Sequence, residues 1–429
     1  MQKLDYPRIK ETLYHETLPN GLQVYLLPKP GFQKTYATFT TKFGSVDNWF
    51  VADGSKEVKA LDGIAHFLEH KMFEEPSGDI FATFASQGAA ANAFTSFDRT
   101  AYLFSATGQL EENVTTLLDF VQHPYFTDAN VDKEKGIIEQ EINMYKDNPD
   151  WRVYTNLIGA MYQKNSVRID IAGSVESIRA ITKEDLYTCY ETFYHPSNML
   201  LFVVGGFDHK QLAELVRSNQ QSKTFAPQTT LELKREEEPA AVGEAKVEAI
   251  LPVSLPKCLF GYKDKQAVKD SMQLQRRDVV TKLLLDTLLG PSSRLYQELY
   301  DERLISDGFG YEFNSSLHYG FSIIGGDTRD PDELLRRVTA ALEQHARDGL
   351  DQQAFERTRR KRIGSYLRLL NSPEAIANEF TRHKFRGGDL FEQLQLLEQV
   401  SIAEAEERAR LHFDPQQLAI SIVSKGSDA

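Results

Sequence analysis

The chain is poor in cysteine, in long apolar runs and in positive charge. Its 429 residues include two cysteines, Cys189 and Cys258, too few for a disulfide framework or for a zinc site made of thiolates. No apolar run in the sequence approaches the roughly 20 residues that span a bilayer, so we predict no membrane span. The formal net charge of −13 argues against a nucleic-acid partner, because such proteins usually present a basic face.

The start of the chain and its length predict compartment and organisation. Residues 1–8 carry charges with no apolar segment after them, which is not typical of a secretory signal and predicts a cytoplasmic protein. The chain is longer than the roughly 250–300 residues at which single cores stop growing. We predict an N-terminal half over 1–216, a polar and charged linker over 217–243, and a C-terminal half over 244–429.

The second half repeats landmarks of the first half in the same order. Three pairs of positions match, each at a similar point before a strand or helix: Phe104 with Phe321, Pro196 with Pro415, and Gly63 with Gly290. Repetition at a nearly constant offset is typical of an internal duplication. We therefore predict two duplicated halves.

Three ionisable residues lie inside a segment that is otherwise apolar. His66, Glu69 and His70 form the pattern H-x-x-E-H within a predicted helix over 64–73. Residues four apart project from one helix face, so both imidazoles can reach one ion, and imidazole suits zinc. Such groups are costly inside a buried helix unless they are paired or bind a metal. We therefore favour zinc ligands over histidines that are satisfied within the core.

The same pattern predicts a role for the glutamate. In an H-x-x-E-H site the glutamate is not a ligand, and it takes a proton from a water that zinc activates. Zinc lowers the pKa of such a water towards about 7. Glu69 is therefore the predicted general base, and Zn²⁺ is the predicted cofactor.

A third protein ligand is predicted on a helix over 128–146. Glu134 and Glu141 lie two turns apart on one edge of its apolar stripe, and Glu139 flanks the opposite edge. Charged helix faces are usually solvated. Helix geometry alone therefore leaves these three glutamates unranked.

These residues resemble the pitrilysin/insulinase family of zinc peptidases, the inverzincins, which includes mitochondrial processing peptidase and bacterial processing-protease-like proteins. Its distal zinc ligand is the last acidic residue of an E-x6-E pattern on a helix. The resemblance implies that Glu141 is this ligand and that Glu134 orients a ligand histidine. It also implies an α+β fold of two half-domains, each a mostly antiparallel sheet packed with helices. The implied activity is that of a zinc endopeptidase on unstructured peptides or precursor segments.

The resemblance extends to segments that relatives use to bind substrate. Residues 91–95 resemble a family strand to which an extended peptide adds, which implies substrate binding by Asn92 and Ala93. Relatives also hold the substrate carbonyl with an Arg and a Tyr that are seven residues apart. Tyr311 matches the tyrosine, but Arg303 lies eight residues before it. Either a one-residue insertion brings Arg303 into register, or Arg303 is a surface residue.

The second half lacks a metal set of its own. If Gly290 aligns with Gly63, then Ser293, Tyr296 and Gln297 stand where the first half has the H-x-x-E-H residues. Relatives of this length act as dimers, and some pair a zinc-bearing subunit with an inert one. We predict a homodimer, or a heterodimer with a homologous subunit. The alternatives are a chain that is active only with an inert partner, and a non-catalytic core-like subunit, which the intact motif disfavours.

Overall fold

The structure of the protein is a computed structural model that describes residues 1–52, 57–76, 78–227, 230–265, 268 and 270–426. Two compact units interleave along the chain. The first unit comprises Met1–Ile142, Ile169–Arg235 and Arg368–Phe385. The second unit comprises Asn143–Arg168, Glu236–Leu367 and Arg386–Ala429.

Strands and helices are named in chain order. The strands are β1 (Gln2–Tyr6), β2 (Glu11–Thr17), β3 (Gln23–Pro28), β4 (Thr35–Thr41), β5 (Trp49–Ala52), β6 (Val58–Lys59), β7 (Glu74–Glu75), β8 (Gly78–Asp79), β9 (Ala89–Thr95), β10 (Thr100–Ala106), β11 (Met199–Gly205), β12 (Leu231–Leu233), β13 (Lys246–Ile250), β14 (Lys257–Tyr262), β15 (Gly310–Ser315), β16 (Gly320–Asp327) and β17 (Leu418–Ser424). The helices are α1 (Ile64–Met72), α2 (Ile80–Ser86), α3 (Leu110–Val121), α4 (Asp128–Lys146), α5 (Pro149–Met161), α6 (Val175–Ala180), α7 (Lys183–Phe193), α8 (His209–Gln221), α9 (Ser271–Leu289), α10 (Arg294–Asp301), α11 (Pro331–Asp348), α12 (Gln352–Leu369), α13 (Pro373–Phe385), α14 (Gln393–Gln399) and α15 (Ile402–His412). Within the described residues, no helix combines the length and the apolar character needed to cross a bilayer.

The first unit is built on a seven-stranded sheet in the order β1-β2-β3-β11-β4-β10-β9. Strand β11 runs parallel to β3, and the other neighbours in this sheet are antiparallel. Every residue of β4 and β11 is buried, and α13 packs against both strands. A continuous apolar strand such as β11 is typical of a sheet covered on both faces. Strand β9 lies at the edge of the sheet.

The second unit repeats this plan on a smaller sheet. Its strand order, β13-β17-β14-β16-β15, matches β3-β11-β4-β10-β9 strand for strand, including the one parallel pair, β13 with β17. Helices α9, α10, α11 and α12 follow in the same places along the chain as α1, α2, α3 and α4. The predicted α+β fold of two duplicated half-domains is confirmed.

One of the three predicted pairs is wrong. Gly63 precedes the first residue of α1, whereas Gly290 follows the last residue of α9. The mismatch arises because a glycine can mark either end of a helix, and these two glycines mark opposite ends. The counterpart of α1 is therefore α9, and the segment that begins at Ser293 belongs to α10 and its cap.

The compact units do not follow the predicted boundaries in a simple order. Helix α5, from the first half of the chain, belongs to the second unit, and α13, from the second half, belongs to the first unit. Within the predicted linker over 217–243, β12 pairs antiparallel with β5, and residues 228–229 lie outside the described residues. The division into 1–216, 217–243 and 244–429 describes duplicated segments of the sequence and not compact units of the fold. It stays a prediction.

Helix α1 is held tightly at its start and along its length. Gly63 precedes it with a φ of 88°, and a Cβ at this position would lie 2.5 Å from the carbonyl oxygen of Ala172. Glycine is therefore required there, both for the backbone conformation and for the close approach. Phe67 and Leu68 are fully buried, so apolar packing fixes the direction in which the polar side chains of α1 project.

Candidate metal centre

Two helices bring three predicted ligands together in the first unit. Helix α1 carries His66 and His70, one turn apart, and α4 carries Glu141. His66 Nε2 and His70 Nε2 lie 3.2 Å apart, and Glu141 Oε2 lies 3.7 and 3.4 Å from these two atoms. One ligand atom from each residue lies within 4.8 Å of the others. Two imidazoles and a carboxylate are a donor set that suits zinc and leaves one position for water or substrate.

The surroundings of the two imidazoles favour a bound cation. Burial and the neighbouring His70 lower the pKa of His66 to about 4. For His70, burial lowers the pKa, but hydrogen bonds to Glu134 and Glu141 outweigh burial and raise the pKa to about 9. The carboxylates of Glu134 and Glu141 thus favour a positive charge at this place, which a cation bound to the neutral imidazoles would also supply. The residues present therefore fit a divalent cation.

Glu134 is placed to orient one of the histidines. Glu134 is 8% exposed, and its Oε1 lies 3.0 Å from His70 Nδ1. When Nδ1–H donates to this carboxylate, the lone pair on His70 Nε2 remains available to a metal. This contact matches the role that the family resemblance implied for Glu134, which stays a prediction.

The structure separates the glutamates that helix geometry left unranked. Val131, Ile138 and Ile142 form the buried stripe of α4. Glu139 lies on another face and makes a bidentate ion pair with Arg179, with N–O distances of 3.0 and 2.6 Å. Glu141 instead lies beside the two histidines, which supports its assignment as the third ligand.

One carboxylate oxygen of Glu69 accepts a hydrogen bond from a residue to which the sequence assigned no role. Thr95, the last residue of β9, donates its hydroxyl to Glu69 Oε2 at 2.6 Å. Burial raises the pKa of Glu69, and the hydrogen bond from Thr95 opposes this shift. Thr95 lies within the segment that resembles the family strand, but only the three-dimensional structure shows that it contacts Glu69.

Asn92 and Ala93 lie on β9, which pairs with β10 alone among the described strands. Asn92 is exposed, and its Oδ1 accepts a hydrogen bond from the amide of Ala93 at 2.9 Å. The amide of Ala93 is thus bonded to the side chain of Asn92 and not to the backbone of β10. An edge strand can pair with an added extended peptide. Substrate binding by these two residues stays a prediction.

The other two predicted substrate residues lie in the second unit. Tyr311, on β15, donates its hydroxyl to Asp286 Oδ1 at 2.5 Å. Arg303 is exposed in the turn after α10, where its φ of 57° is left-handed. Lys361 and Arg362, which the sequence did not single out, are the cations that pair with Asp286. The structure thus brings Tyr311 together with these residues, and the role of Arg303 stays a prediction.

Comparison with known proteins identifies the family. Residues 40–175 match the family model described as insulinase (peptidase family M16), and residues 180–362 match the model described as peptidase M16 inactive domain. A Bacillus subtilis protein described as uncharacterized zinc protease YmfH is 51% identical over 409 residues, which covers 95% of each chain. The chain belongs to the M16 insulinase family. The resemblance predicted from the sequence is therefore confirmed.

Solved structures agree with the M16 assignment. A protein from Alicyclobacillus acidocaldarius, described as an M16-like peptidase, is 41% identical with a TM-score of 0.95, covering 99% of this chain and 100% of its own. A protease from Helicobacter pylori is 20% identical with a TM-score of 0.84, covering 96% and 99%, and shows the fold alone. M16 relatives named as zinc proteases support a zinc peptidase in general.

Proposed function

We propose that this M16 protein is a zinc-dependent endopeptidase that cleaves unstructured peptides or precursor segments. The observation that carries the proposal is the convergence of one ligand atom each from His66, His70 and Glu141 within 4.8 Å. These three residues would hold Zn²⁺. Relatives named as zinc proteases support the choice of metal.

The chain's own residues supply proton transfer and positioning. When bound, Zn²⁺ supplies the Lewis acidity that polarises a peptide carbonyl and makes a water more acidic. Glu69 would take a proton from the attacking water at its carboxylate and pass it to the leaving amine. Thr95 holds Oε2 of Glu69 and so orients the carboxylate for this transfer. Glu134 would keep the Nδ1 proton on His70.

The proposed substrate is an extended peptide. Strand β9 is an edge of its sheet, and its last residue contacts the proposed general base. A peptide that adds to β9 through Asn92 and Ala93 would therefore run past Glu69. We keep a homodimer or a heterodimer with a homologous subunit, and a cytoplasmic location, as predictions.

The test is incubation of the purified chain alone with a mixture of unstructured peptides, with and without a chelator. We expect about one zinc per chain and cleavage that the chelator abolishes. Glu69→Gln should keep the zinc and lose cleavage by roughly 10²–10⁴-fold, the range typical of a general base. Cleavage that survives in this variant would contradict the mechanism. Bound zinc without any cleavage by the unmodified chain would favour the alternative in which an inert partner is required.

A further inference from the structure

A second polar cluster lies in the second unit. Asp286, in the last turn of α9, is 5% exposed. Its Oδ1 accepts hydrogen bonds from the hydroxyl of Tyr311 at 2.5 Å and from Lys361 Nζ at 2.8 Å, and its Oδ2 lies 3.2 Å from Arg362 Nε. The four residues come from α9, β15 and α12.

This cluster draws on the elements that correspond to those of the metal centre. Helix α9, strand β15 and helix α12 take the places of α1, β9 and α4 in the repeated fold. The position along these elements differs, because Thr95 lies beside the turn that follows β9, whereas Ser315, not Tyr311, lies beside the turn that follows β15. Helix α4 brings carboxylates to the metal centre, whereas α12 brings two cations to Asp286. The corresponding elements of the two units therefore carry clusters of opposite charge at different positions.

The charges of the cluster do not balance. One carboxylate, Asp286, faces two cations, and the described residues show no second anion paired with Lys361 or Arg362. The side chain of Lys361 is 49% exposed and that of Arg362 is 29% exposed, whereas that of Asp286 is 4% exposed. The buried carboxylate thus holds both cations in place while each keeps a face towards solvent. Such a pair can accept a further anion without losing its first one.

The chemistry of these groups selects the kind of anion. A guanidinium and an ammonium bind carboxylates through strong, charge-assisted hydrogen bonds. Strand β15 is an edge strand among the described residues, as β9 is, so an extended peptide can add beside the cluster. We propose that Lys361 and Arg362 bind a carboxylate of an extended peptide. The inference rests on the proposed action on unstructured peptides.

Direct binding tests this proposal without cleavage. The Glu69→Gln chain is titrated into fluorescent unstructured peptides that lack Asp and Glu, and anisotropy is measured. One peptide has a free C-terminal carboxylate, a second has a C-terminal amide, and a third is the amide with one internal Asp. We expect a carboxylate-bearing peptide to bind roughly tenfold more tightly than the plain amide, as for one charge-assisted hydrogen bond. Preference for the first or the third peptide distinguishes a chain terminus from an acidic side chain.

Substitutions on α12 locate the carboxylate. Lys361→Gln and Arg362→Gln should each reduce the preference severalfold and leave binding of the plain amide unchanged. Arg360→Gln is the matched control, because Arg360 is exposed on the same helix outside the cluster. Lys361 is half-exposed, so its substitution gives a folded chain even if that of Arg362 does not.

The outcomes separate this proposal from the peptidase assignment. Equal affinity for all three peptides, or no binding of any, would overturn the carboxylate site. A preference that persists in both variants would overturn it as well. If the preference is present but the unmodified chain binds no zinc and cleaves nothing, the peptidase proposal fails and the carboxylate site stands.

Discussion

The two units share one strand order and one helix order, yet their corresponding helices collect clusters of opposite charge. In the first unit, α1 and α4 gather two imidazoles and three carboxylates, whereas in the second unit α9 and α12 gather one carboxylate and two cations. The backbone topology therefore determines which elements meet. The side chains determine where on these elements a polar cluster forms and which ion it attracts, so the fold by itself does not specify a function.

The largest effect is expected from the loss of the carboxylate ligand of the first unit. Glu141→Gln should release zinc and abolish cleavage, because a neutral amide replaces an anionic ligand. We expect the loss of zinc affinity to exceed the roughly 10–100-fold that an outer partner of a ligand typically costs. Glu139→Gln is the matched control, two residues away on the same helix and paired with Arg179. Zinc content and peptide cleavage are measured for both. Loss of zinc in the control, with retention in Glu141→Gln, would move the assignment.

A smaller effect is expected from the carboxylate beside His70. Glu134→Gln keeps an acceptor for His70 Nδ1 but removes its negative charge, so zinc affinity should fall roughly 10–100-fold. Competition with a chelator of known affinity measures this change. An unchanged affinity would show that Glu134 does not act through His70.

A still smaller effect is expected where β9 contacts α1. Thr95→Val is close to isosteric and removes the hydroxyl that donates to Glu69 Oε2. Cleavage should slow by roughly tenfold, the typical worth of a hydrogen bond to a charged group, while zinc content stays constant. kcat/KM and zinc content are compared with those of the unmodified chain. Zinc loss in this variant would instead indicate a structural role for Thr95.

The units also differ in a buried aspartate. In the first unit, burial raises the pKa of Asp47 to about 7, although a hydrogen bond from Gly44 and the charge of Arg235 oppose the shift. In the second unit, burial also raises the pKa of Asp264, but Arg408, His412 and Arg277 outweigh it and lower the pKa. The two units are therefore predicted to respond to pH in opposite directions.

The direction in which the free energy of unfolding changes with pH follows from proton linkage. Between about pH 4, the pKa of an unfolded aspartate, and pH 7, the folded first unit holds a proton on Asp47 that the unfolded chain has lost. The free energy of unfolding should therefore fall as the pH rises through this window, by up to about 4 kcal/mol, since one pKa unit is worth about 1.4 kcal/mol. Asp264 stabilises above its unfolded pKa, and its contribution is lost only as the pH falls below that value.

Asp47→Asn should flatten the pH dependence of the first unit. The chain has two tryptophans, Trp49 in the first unit and Trp151 in the second, so Trp49 fluorescence in a Trp151→Phe background reports the first unit. Urea unfolding is followed at pH 5 and pH 7.5 with and without the substitution. The same pH dependence in both chains would exclude Asp47 as its source.

The local pattern of apolar and polar residues was sufficient to predict most of the fold. The helix expected over 128–146 has those bounds, and the helix expected over 64–73 ends one residue earlier. Apolar periodicity is a property of neighbouring residues, so it survives in the sequence. The pairing of Gly63 with Gly290 failed because glycine marks a helix boundary without showing which end it marks.

The sequence by itself determined the H-x-x-E-H motif and the spacing of Glu134 and Glu141, because each depends on residues close together on one helix. It also determined the family, because the resemblance rests on short motifs that are each local in the chain. Only the tertiary structure showed which glutamate of α4 lies beside the histidines, and that Thr95 contacts Glu69. It also brought together Asp286 and Lys361, which are 75 residues apart. Contacts of this kind depend on strand order and on helices packing across a sheet, and no local periodicity encodes them.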